Sequence, residues 1–446
     1  MKENKLKISV AGIRGIYPDV LSPEFAFQSG LAFGTYLKEK KVFVGRDTRV
    51  SGEVLKSSLI SGLLASGKDV IDLGIVPTPT VGFLIEKIEK AGGVIITASH
   101  NPLPYNGIKF FSSKGCFLNE KEGKCFLNIL KRENFKIFKE PGNLFYMHDG
   151  VEKHFSSIYK KIDIEKIKKR KFKIVVDCCQ GVGAIFSEKF LKNLGCKVIL
   201  INSKPLGKFS HNPEPLPENL IQLCKSVIEE KADIGFAQDP DGDRLAVVSE
   251  EGKPIGEELT IVLAIEQVLS KKISPVVVNL STTSLVEEIS KKFNACVYRT
   301  KIGEINVVEK MKKVKSVIGG EGNGGVIWKE SHYGRDSYVG MALILELLAS
   351  KNIPISEIIK EYPDFYMEKK KLYFSEKEKV EIFNKIKKYY KNEKIDYTDG
   401  MKIIKDKGWI HIRFSGTEPL LRLFVEGKSK EISKLYMKEI LSVINS

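Results

Sequence analysis

The sequence predicts an α/β fold in which three similar α/β domains with mixed sheets precede a smaller C-terminal α+β domain, all arranged around a central cleft. Three observations predict this architecture. Short β-rich runs alternate with segments of helical period, the same run of elements recurs three times, and the pattern changes after Pro363. At roughly 150 residues per domain, the 446 residues provide for several domains.

The repeated unit has two strands, each followed by a helical segment, and a third strand that runs directly into a polar or glycine-rich loop. The first strands begin at Val42, Ile174 and Val276. The loops after the third strands are Ala98–Pro102, Asp239–Arg244 and Gly320–Gly325. A further strand follows each loop closely, which predicts one antiparallel member in each sheet. Because ligands bind at the carboxyl ends of parallel strands, we expect the three loops to face one cleft.

The repeat also predicts the domain boundaries. Domains I, II, III and IV are expected at residues 1–145, 146–250, 251–365 and 366–446. In the last of these, a Lys-rich segment of helical period is followed by two β-rich runs, Trp409–Phe414 and Leu421–Glu426, and by a final helix. This order differs from that of the repeated unit and is typical of a separate α+β domain.

Composition and charge exclude several classes of protein. With 42% hydrophobic and 29% charged residues, the chain is neither disordered nor collagenous. The net charge is +16, but 62 of the 72 cationic residues are Lys, which is typical of solvated helix faces. We therefore expect no nucleic-acid partner. The seven cysteines show no Cys-x-x-Cys spacing, so neither a disulfide framework nor a zinc site is predicted.

The chain shows no targeting or membrane-spanning segment. The first residues lack the apolar core of a signal peptide, and no stretch approaches the roughly 18 apolar residues of a membrane span. We expect a soluble cytoplasmic protein that has no membrane partner.

The loop after the third strand of the second unit concentrates acidic residues. Asp239, Asp241 and Asp243 occupy alternate positions, and such a density of like charge predicts a divalent cation. An EF-hand is excluded because its sixth position requires Gly and holds Arg244 here, and because both flanks read as strands. All-oxygen ligands favour Mg²⁺. An acidic surface turn is the alternative.

The corresponding loop of the first unit places Ser99 where a strand breaks before Pro102. A hydroxyl nucleophile could be presented there, although Ser and Asn also populate turns for purely local reasons. A hydrolase elbow is excluded, since Gly-x-Ser-x-Gly is absent.

The loop of the third unit, Gly320–Gly325, formally matches the dinucleotide fingerprint G-x-G-x-x-G. That fingerprint must open a helix, whereas a strand follows here. Glu321 and Asn323 on a glycine-rich loop are instead suited to binding the vicinal hydroxyl or amino groups of a polyol.

The segment Arg413–Pro419 combines a guanidinium fork, two hydroxyl groups and a glycine turn, which is typical of a phosphate-binding loop. The arginines support this reading. Eight of the ten lie in or beside polar or glycine-rich loops, where bidentate recognition of an anion is favoured.

In this order, the four loops resemble those of the α-D-phosphohexomutase family over nearly the whole chain, and Ala11–Gly15 is similar to its amino-terminal signature. The resemblance implies a small-molecule sugar phosphate as substrate, Mg²⁺, a phosphoserine at Ser99 and a hexose 1,6-bisphosphate as activator and intermediate. It implies a monomer or homodimer. The implied catalytic residues are Ser99, His100, Lys109 and Arg244, and the implied metal ligands are Ser99, Asp239, Asp241 and Asp243. The implied substrate-binding residues are Arg14, Lys301, Glu321, Asn323, Arg413, Ser415, Gly416, Thr417 and Arg422.

One departure from the family pattern bears on the substrate. Many members carry Ser-Gly-His or Ser-Phe-Gly after the sugar-loop Glu, whereas this chain has Asn323 followed by two glycines, with His332 further on. This form is most similar to phosphoglucosamine mutases. The expected reaction is interconversion of glucosamine 6-phosphate and glucosamine 1-phosphate, with neutral hexose phosphates of the phosphoglucomutase and phosphomannomutase type as the alternative. A metal-dependent phosphatase and a nucleic-acid binder are the rivals from other classes.

Overall fold

The computed structural model describes residues 6–9, 12–374, 376–414 and 420–445, and it contains four β-sheets. Three of them are mixed sheets with helices, and the last is antiparallel, so the predicted fold class is confirmed. None of the described helices is both long enough and apolar enough to cross a membrane.

The first sheet has more strands than the repeat predicts. Its order is β1-β2-β6-β5-β3-β4-β7. The strands are β1 (Lys7–Ser9), β2 (Gly12–Ile16), β3 (Lys41–Arg46), β4 (Asp69–Ile75), β5 (Gly92–Ile96), β6 (Tyr105–Phe111) and β7 (Leu144–Tyr146). The helices are α1 (Pro23–Tyr36), α2 (Gly52–Ala65), α3 (Thr78–Lys87) and α4 (Glu120–Arg132). As predicted, β6 is antiparallel to β5, and the connection between them contains Ala98–Pro102, which we call the serine loop.

The second sheet follows two helices, α5 (Gly150–Tyr159) and α6 (Ile164–Arg170). Its order is β11-β10-β8-β9. The elements are β8 (Lys173–Asp177), α7 (Gly183–Asn193), β9 (Lys197–Ile201), a short 3₁₀ helix (Pro217–Asn219), α8 (Ile221–Glu229), β10 (Ile234–Gln238) and β11 (Leu245–Ser249). The loop Asp239–Arg244, which we call the aspartate loop, joins β10 to the antiparallel β11.

The third sheet repeats this plan in the order β13-β12-β14-β15. Its elements are α9 (Glu257–Lys271), β12 (Val276–Asn279), α10 (Leu285–Lys292), β13 (Val297–Thr300), α11 (Glu304–Val314), β14 (Ile318–Glu321), β15 (Gly325–Trp328), α12 (Ser337–Lys351) and α13 (Ile355–Lys360). The loop predicted to bind sugar is the tight turn from β14 into the antiparallel β15.

The fourth sheet is fully antiparallel, with the order β16-β20-β19-β18-β17. Its elements are β16 (Tyr366–Tyr373), α14 (Glu376–Tyr389), β17 (Lys394–Asp396), β18 (Met401–Lys405), β19 (Gly408–Phe414), β20 (Leu420–Gly427) and α15 (Lys430–Asn445).

The hydrophobic core is shared by the first three sheets. One cluster of buried apolar side chains extends from Phe43 through Ile174 to Tyr338, and so joins all three α/β units. The described part of the fourth unit has its own cluster, which lies between Ile382 and Ile444. The three repeated units therefore pack as one body.

Polar contacts attach the fourth sheet to the third unit. The buried Lys402 Nζ donates to the carbonyl oxygen of Leu280 at 2.7 Å, and Glu426 accepts from the amide of Ser284 at 2.9 Å. Lys369 Nζ donates to Glu257 and to Glu258, both at 2.8 Å. These hydrogen bonds and ion pairs place β19 and β20 along one wall of the cleft.

Candidate active site

A cleft of about 1370 Å³ lies where the four units meet. Every described residue for which sequence analysis predicts a catalytic or substrate-binding role lines it: Arg14, Ser99, His100, Lys109, Arg244, Lys301, Glu321, Asn323, Arg413 and Arg422. The predicted phosphate-loop residues Ser415, Gly416 and Thr417 lie outside the described residues. The loops of the three units thus converge as the repeat predicts.

Ser99 lies just beyond β5, at the point where the chain leaves the sheet. Its φ is +50°, a left-handed conformation that is uncommon for a residue with a side chain and costs free energy. The Ser99 amide donates to Thr97 Oγ1 at 2.9 Å, and the hydroxyl donates to Asp239 Oδ2 at 2.7 Å. The conformation therefore aims a buried hydroxyl group at the aspartate loop.

A buried arginine, Arg49, holds this conformation. Its Nη2 donates to the carbonyl oxygens of Ser99 and Asn101, both at 2.6 Å, and its Nη1 donates to that of Tyr105 at 2.8 Å. Its Nε pairs with the buried Asp47 at 3.1 Å. Sequence analysis assigned Arg49 no site role. Three carbonyl oxygens on one planar fork fix the whole loop.

We expect Arg49→Met to lower the free energy of unfolding by about 3–5 kcal/mol, because it leaves Asp47 as a buried, unpaired charge. Urea denaturation followed by circular dichroism measures this effect. Arg46→Met is the matched control. Arg46 pairs with Glu53, whose side chain is 54% exposed, so this change should cost at most about 1 kcal/mol. Equal destabilisation by the two variants would contradict the role given to Arg49.

The aspartate loop lies directly beneath the cleft. Asp239, Asp241 and Asp243 are fully buried, and one oxygen atom of each lies within 4.8 Å of the others. Burial, and then the charges of the other two aspartates, raise the pKa of Asp239 well above its ordinary value. The Oδ1 atoms of Asp241 and Asp243 are buried and accept no hydrogen bond. Such an acceptor-only set fits a divalent cation with oxygen ligands.

Lys109 crosses from the first sheet to the same loop. Its Nζ donates to Asp241 Oδ2 at 2.9 Å and lies 3.9 Å from Asp243 Oδ2. Thr78 Oγ1 donates to the same oxygen of Asp241 at 2.7 Å. The first two units are therefore joined at the aspartates, and Lys109 offsets part of their charge.

His100 and Arg244 lie on either side of a carboxylate that sequence analysis missed. His100 Nδ1 lies 3.4 Å from Ser99 Oγ. Glu214 Oε1 lies 3.7 Å from His100 Nε2 and 3.8 Å from Arg244 Nη1. Burial, and then the charges of Arg244 and Arg14, lower the pKa of His100 well below its ordinary value, so its ring is neutral at pH 7. Glu214 comes from the long connection after β9, and no motif marks it.

Glu321 is the best-anchored side chain of the third unit. Its Oε1 accepts from Asn279 Nδ2 and from the amide of Gly303, both at 2.9 Å. Burial favours a raised pKa for Glu321, but Arg335, the Asn279 amide and the Gly303 amide outweigh it and hold the pKa below its ordinary value. Nearby, the buried Asn323 Oδ1 accepts no hydrogen bond. The loop thus presents a carboxylate and an amide oxygen as acceptors.

His332 does not replace the histidine that is absent from this loop. It lies outside the cleft, fully buried, with Nδ1 3.9 Å from Asp336 Oδ2, and burial lowers its pKa to about 4. His154 Nε2 lies 2.9 Å from the same oxygen of Asp336, and His154 Nδ1 lies 3.1 Å from Thr80 Oγ1. The hydrogen bonds of His154 therefore join the first, second and third units, and the His332 ring packs against the His154 ring.

On the fourth unit, the guanidinium of Arg413 is held by Asp399. Arg413 Nε donates to Asp399 Oδ1 at 3.0 Å, and the amide of Ile302 donates to Asp399 Oδ2 at 2.9 Å. On the first unit, Arg14 Nη1 donates to Asn101 Oδ1 of the serine loop at 2.8 Å. Guanidinium groups of the first and the fourth units therefore both line the cleft, where each can bind an anion.

Family models agree with this architecture over nearly the whole chain. Those for phosphoglucomutase/phosphomannomutase match in order: α/β/α domain I over residues 5–136, domain II over 152–252, domain III over 256–366, and the C-terminal domain over 370–443.

Individual relatives and a solved structure give the same result. A Thermococcus kodakarensis protein named phosphoglucomutase/phosphomannomutase is 41% identical, with 96% of each chain covered. A Methanopyrus kandleri protein named probable phosphoglucosamine mutase is 34% identical, with 97% of this chain and 96% of that protein covered. A crystal structure of a phosphoglucomutase/phosphomannomutase family protein from Burkholderia thailandensis is 26% identical and covers 98% of both chains, with a TM-score of 0.86. The resemblance inferred from the four loops is confirmed, and the chain belongs to the phosphoglucomutase/phosphomannomutase family of α-D-phosphohexomutases.

Proposed function

We propose that this phosphohexomutase interconverts glucosamine 6-phosphate and glucosamine 1-phosphate through a bisphosphorylated sugar, with Ser99 as the phosphate carrier. The observation that carries the proposal is the hydrogen bond of 2.7 Å from the buried Ser99 hydroxyl to Asp239. It places the oxygen that would carry phosphate against three clustered carboxylates.

The donor set supports Mg²⁺ as the resident metal. Asp239, Asp241 and Asp243 would hold it together with the phosphate on Ser99, and the unpartnered Oδ1 atoms of Asp241 and Asp243 are suitable ligands. When bound, the ion withdraws charge from the phosphoryl group during transfer.

In the proposed reaction, a sugar hydroxyl oxygen attacks the phosphorus of phosphoserine 99 and the P–Oγ bond breaks. The proton of that hydroxyl passes to a neighbouring base, for which the neutral ring of His100 is the candidate, while the Lys109 ammonium, which donates to Asp241, would serve as the acid partner. After the bisphosphate has turned over, Ser99 Oγ accepts the second phosphoryl group, the bond from phosphorus to that sugar oxygen breaks, and the oxygen takes a proton back from the acid partner. Arg244 would offset the charge on the transferring group.

Residues on the remaining walls would orient the substrate. Glu321 and Asn323 would bind the sugar, while Arg413 with Ser415, Gly416 and Thr417 would bind the phosphate that is not reacting. Arg14, Lys301 and Arg422 also line the cleft and would contact the two phosphate groups. Because the first, third and fourth units all contribute cations to the cleft, it would accept either orientation of the intermediate.

The choice of glucosamine rests on the acceptors of the third unit. Glu321 is ionised, and the buried Asn323 Oδ1 has no donor. An ammonium group at carbon 2 would supply donors and charge to both. The alternative, a neutral glucose or mannose phosphate, is favoured by the name of the relative that is 41% identical.

A comparison of substrates tests this choice. We expect kcat/KM for glucosamine 1-phosphate to exceed that for glucose 1-phosphate and mannose 1-phosphate by about 10-fold or more, the equivalent of one charge-assisted hydrogen bond. Turnover is measured with Mg²⁺ and catalytic bisphosphate. Glu321→Gln should reduce the preference, because it removes the charge that pairs with the ammonium group. Equal or faster use of the neutral sugars would overturn the assignment to glucosamine.

A further inference from the structure

Arg335 reaches the cleft because the chain folds back after β15. The amide of Asp336 donates to the carbonyl oxygen of Val326 at 2.9 Å, and Arg335 pairs with Ile327 in an isolated antiparallel bridge. Residues 329–334 therefore form a loop that returns to the strand it left. This return brings the Arg335 side chain across the start of β15.

Two glycines of the loop Gly320–Gly325 are required by this arrangement. A Cβ atom at Gly325 would lie 2.3 Å from Arg335 Cδ, so a residue with a side chain would displace the arginine. Gly324 has a φ of +83°, and a Cβ there would lie 2.3 Å from the carbonyl oxygen of Leu245. The two glycines that follow Asn323 thus make room for Arg335 and for the start of β11.

Each nitrogen of the guanidinium group binds a carboxylate from a different segment. Arg335 Nη2 donates to Asp243 Oδ2 at 2.6 Å, and Nη1 donates to Glu321 Oε2 at 2.8 Å. Nε donates to Glu304 Oε2 at 3.0 Å. Only 11% of the Arg335 side chain is exposed, so these pairs are weakly screened by water.

We propose that Arg335 is a positioning residue that couples the aspartate loop to the sugar-binding carboxylate, an inference that rests on the proposed function. Its fork sets the distance between Asp243 and Glu321, and therefore the distance between the transferring phosphate and the sugar ring. Lysine carries the same charge but cannot reach three carboxylates at once.

The charge of Arg335 also affects the metal site, where it should weaken the binding of a cation. A guanidinium hydrogen-bonded to Asp243 repels a cation bound to the same carboxylate. Its removal should strengthen binding of a divalent cation while it weakens alignment of the substrate. A residue with a merely structural role would lower both together.

The test measures these two quantities on Arg335→Met and Arg335→Lys, with Mn²⁺ followed by electron paramagnetic resonance as the metal probe. We expect Arg335→Met to bind Mn²⁺ about 10-fold more tightly. Its kcat/KM with hexose 1-phosphates should fall about 100-fold, the usual cost of a misalignment of about 1 Å. Arg335→Lys should keep the wild-type Mn²⁺ affinity and still lose most of the turnover.

Lys56→Met is the matched control. Lys56 pairs with the buried Asp72 at 2.6 Å, away from the cleft, so this variant also leaves a buried carboxylate unpaired. Its Mn²⁺ affinity and kcat/KM should equal those of the wild type when both are expressed per folded molecule.

Four outcomes decide the matter. Opposite changes in Mn²⁺ affinity and turnover in Arg335→Met support the coupling. Wild-type turnover in that variant, or a parallel loss of both quantities, overturns it. If the wild type binds Mn²⁺ no more tightly than Asp241→Asn does, the metal assignment of the proposed function fails. The coupling then fails with it.

Discussion

Replacing Ser99 with alanine should abolish mutase turnover, with a loss in kcat of about 10⁴-fold or more. The variant removes the oxygen that would form and break the bond to phosphorus, and no neighbouring group can replace it in the same place. The Ser99 hydroxyl is buried and points at Asp239, so water has little access to act in its stead. Turnover of glucosamine 1-phosphate and of glucose 1-phosphate should fall alike.

Ser112→Ala serves as the control for Ser99→Ala. Ser112 is a buried serine of the same unit, and its hydroxyl donates to a backbone carbonyl outside the cleft. This variant should retain the activity of the wild type. Mass spectrometry after incubation with glucose 1,6-bisphosphate should show one added phosphate on the wild type and on Ser112→Ala, and none on Ser99→Ala. Undiminished turnover of Ser99→Ala would refute the phosphoserine mechanism.

The second large effect concerns the aspartate loop. We expect Asp241→Asn to weaken binding of Mg²⁺ by about 100-fold or more, because it removes one of three charged oxygen ligands. It also takes away the partner of Lys109, whose Nζ lies 2.9 Å from Asp241. Isothermal titration with Mg²⁺ measures the affinity, and turnover across a range of Mg²⁺ concentrations measures the consequence.

The control for this change is Asp72→Asn. Asp72 is buried and paired with Lys56 as Asp241 is with Lys109, but it lies outside the cleft. This variant should bind Mg²⁺ as the wild type does. An Asp241→Asn protein that bound Mg²⁺ with unchanged affinity would show that the cluster is not the metal site.

The repeated units could be predicted from sequence because their pattern is local. A run of apolar residues followed by Asp239–Arg244 or by Gly320–Gly325 marks a strand end, and strand ends of one sheet meet at the same edge. The antiparallel strands β6, β11 and β15 follow from the short spacing after each loop. These inferences need no knowledge of how distant segments pack.

The residues that hold the site together could not be predicted in this way. Arg49 acts on Ser99, fifty positions further along the chain, and Glu214 reaches Arg244 from a long connection without a motif. Arg335 contacts three carboxylates that lie far apart in sequence. Each contact depends on how whole units pack against one another. In the sequence, the only indication of such a contact is an arginine that lies beside a loop rather than on a helix face.

The junction between the third and fourth units differs in kind from the junctions among the first three. In the part of the chain that the structure describes, separation of the first three units from one another would expose a continuous apolar core to water. The fourth unit has its own core and is attached by polar groups such as Lys402 and Glu426, which could bind water instead of the third unit. We expect the contact between the third and fourth units to separate before the contacts among the first three units do. If the fourth unit moved away in this manner, a sugar with a phosphate at each end could turn around inside the widened cleft without leaving it, while Ser99 kept its position.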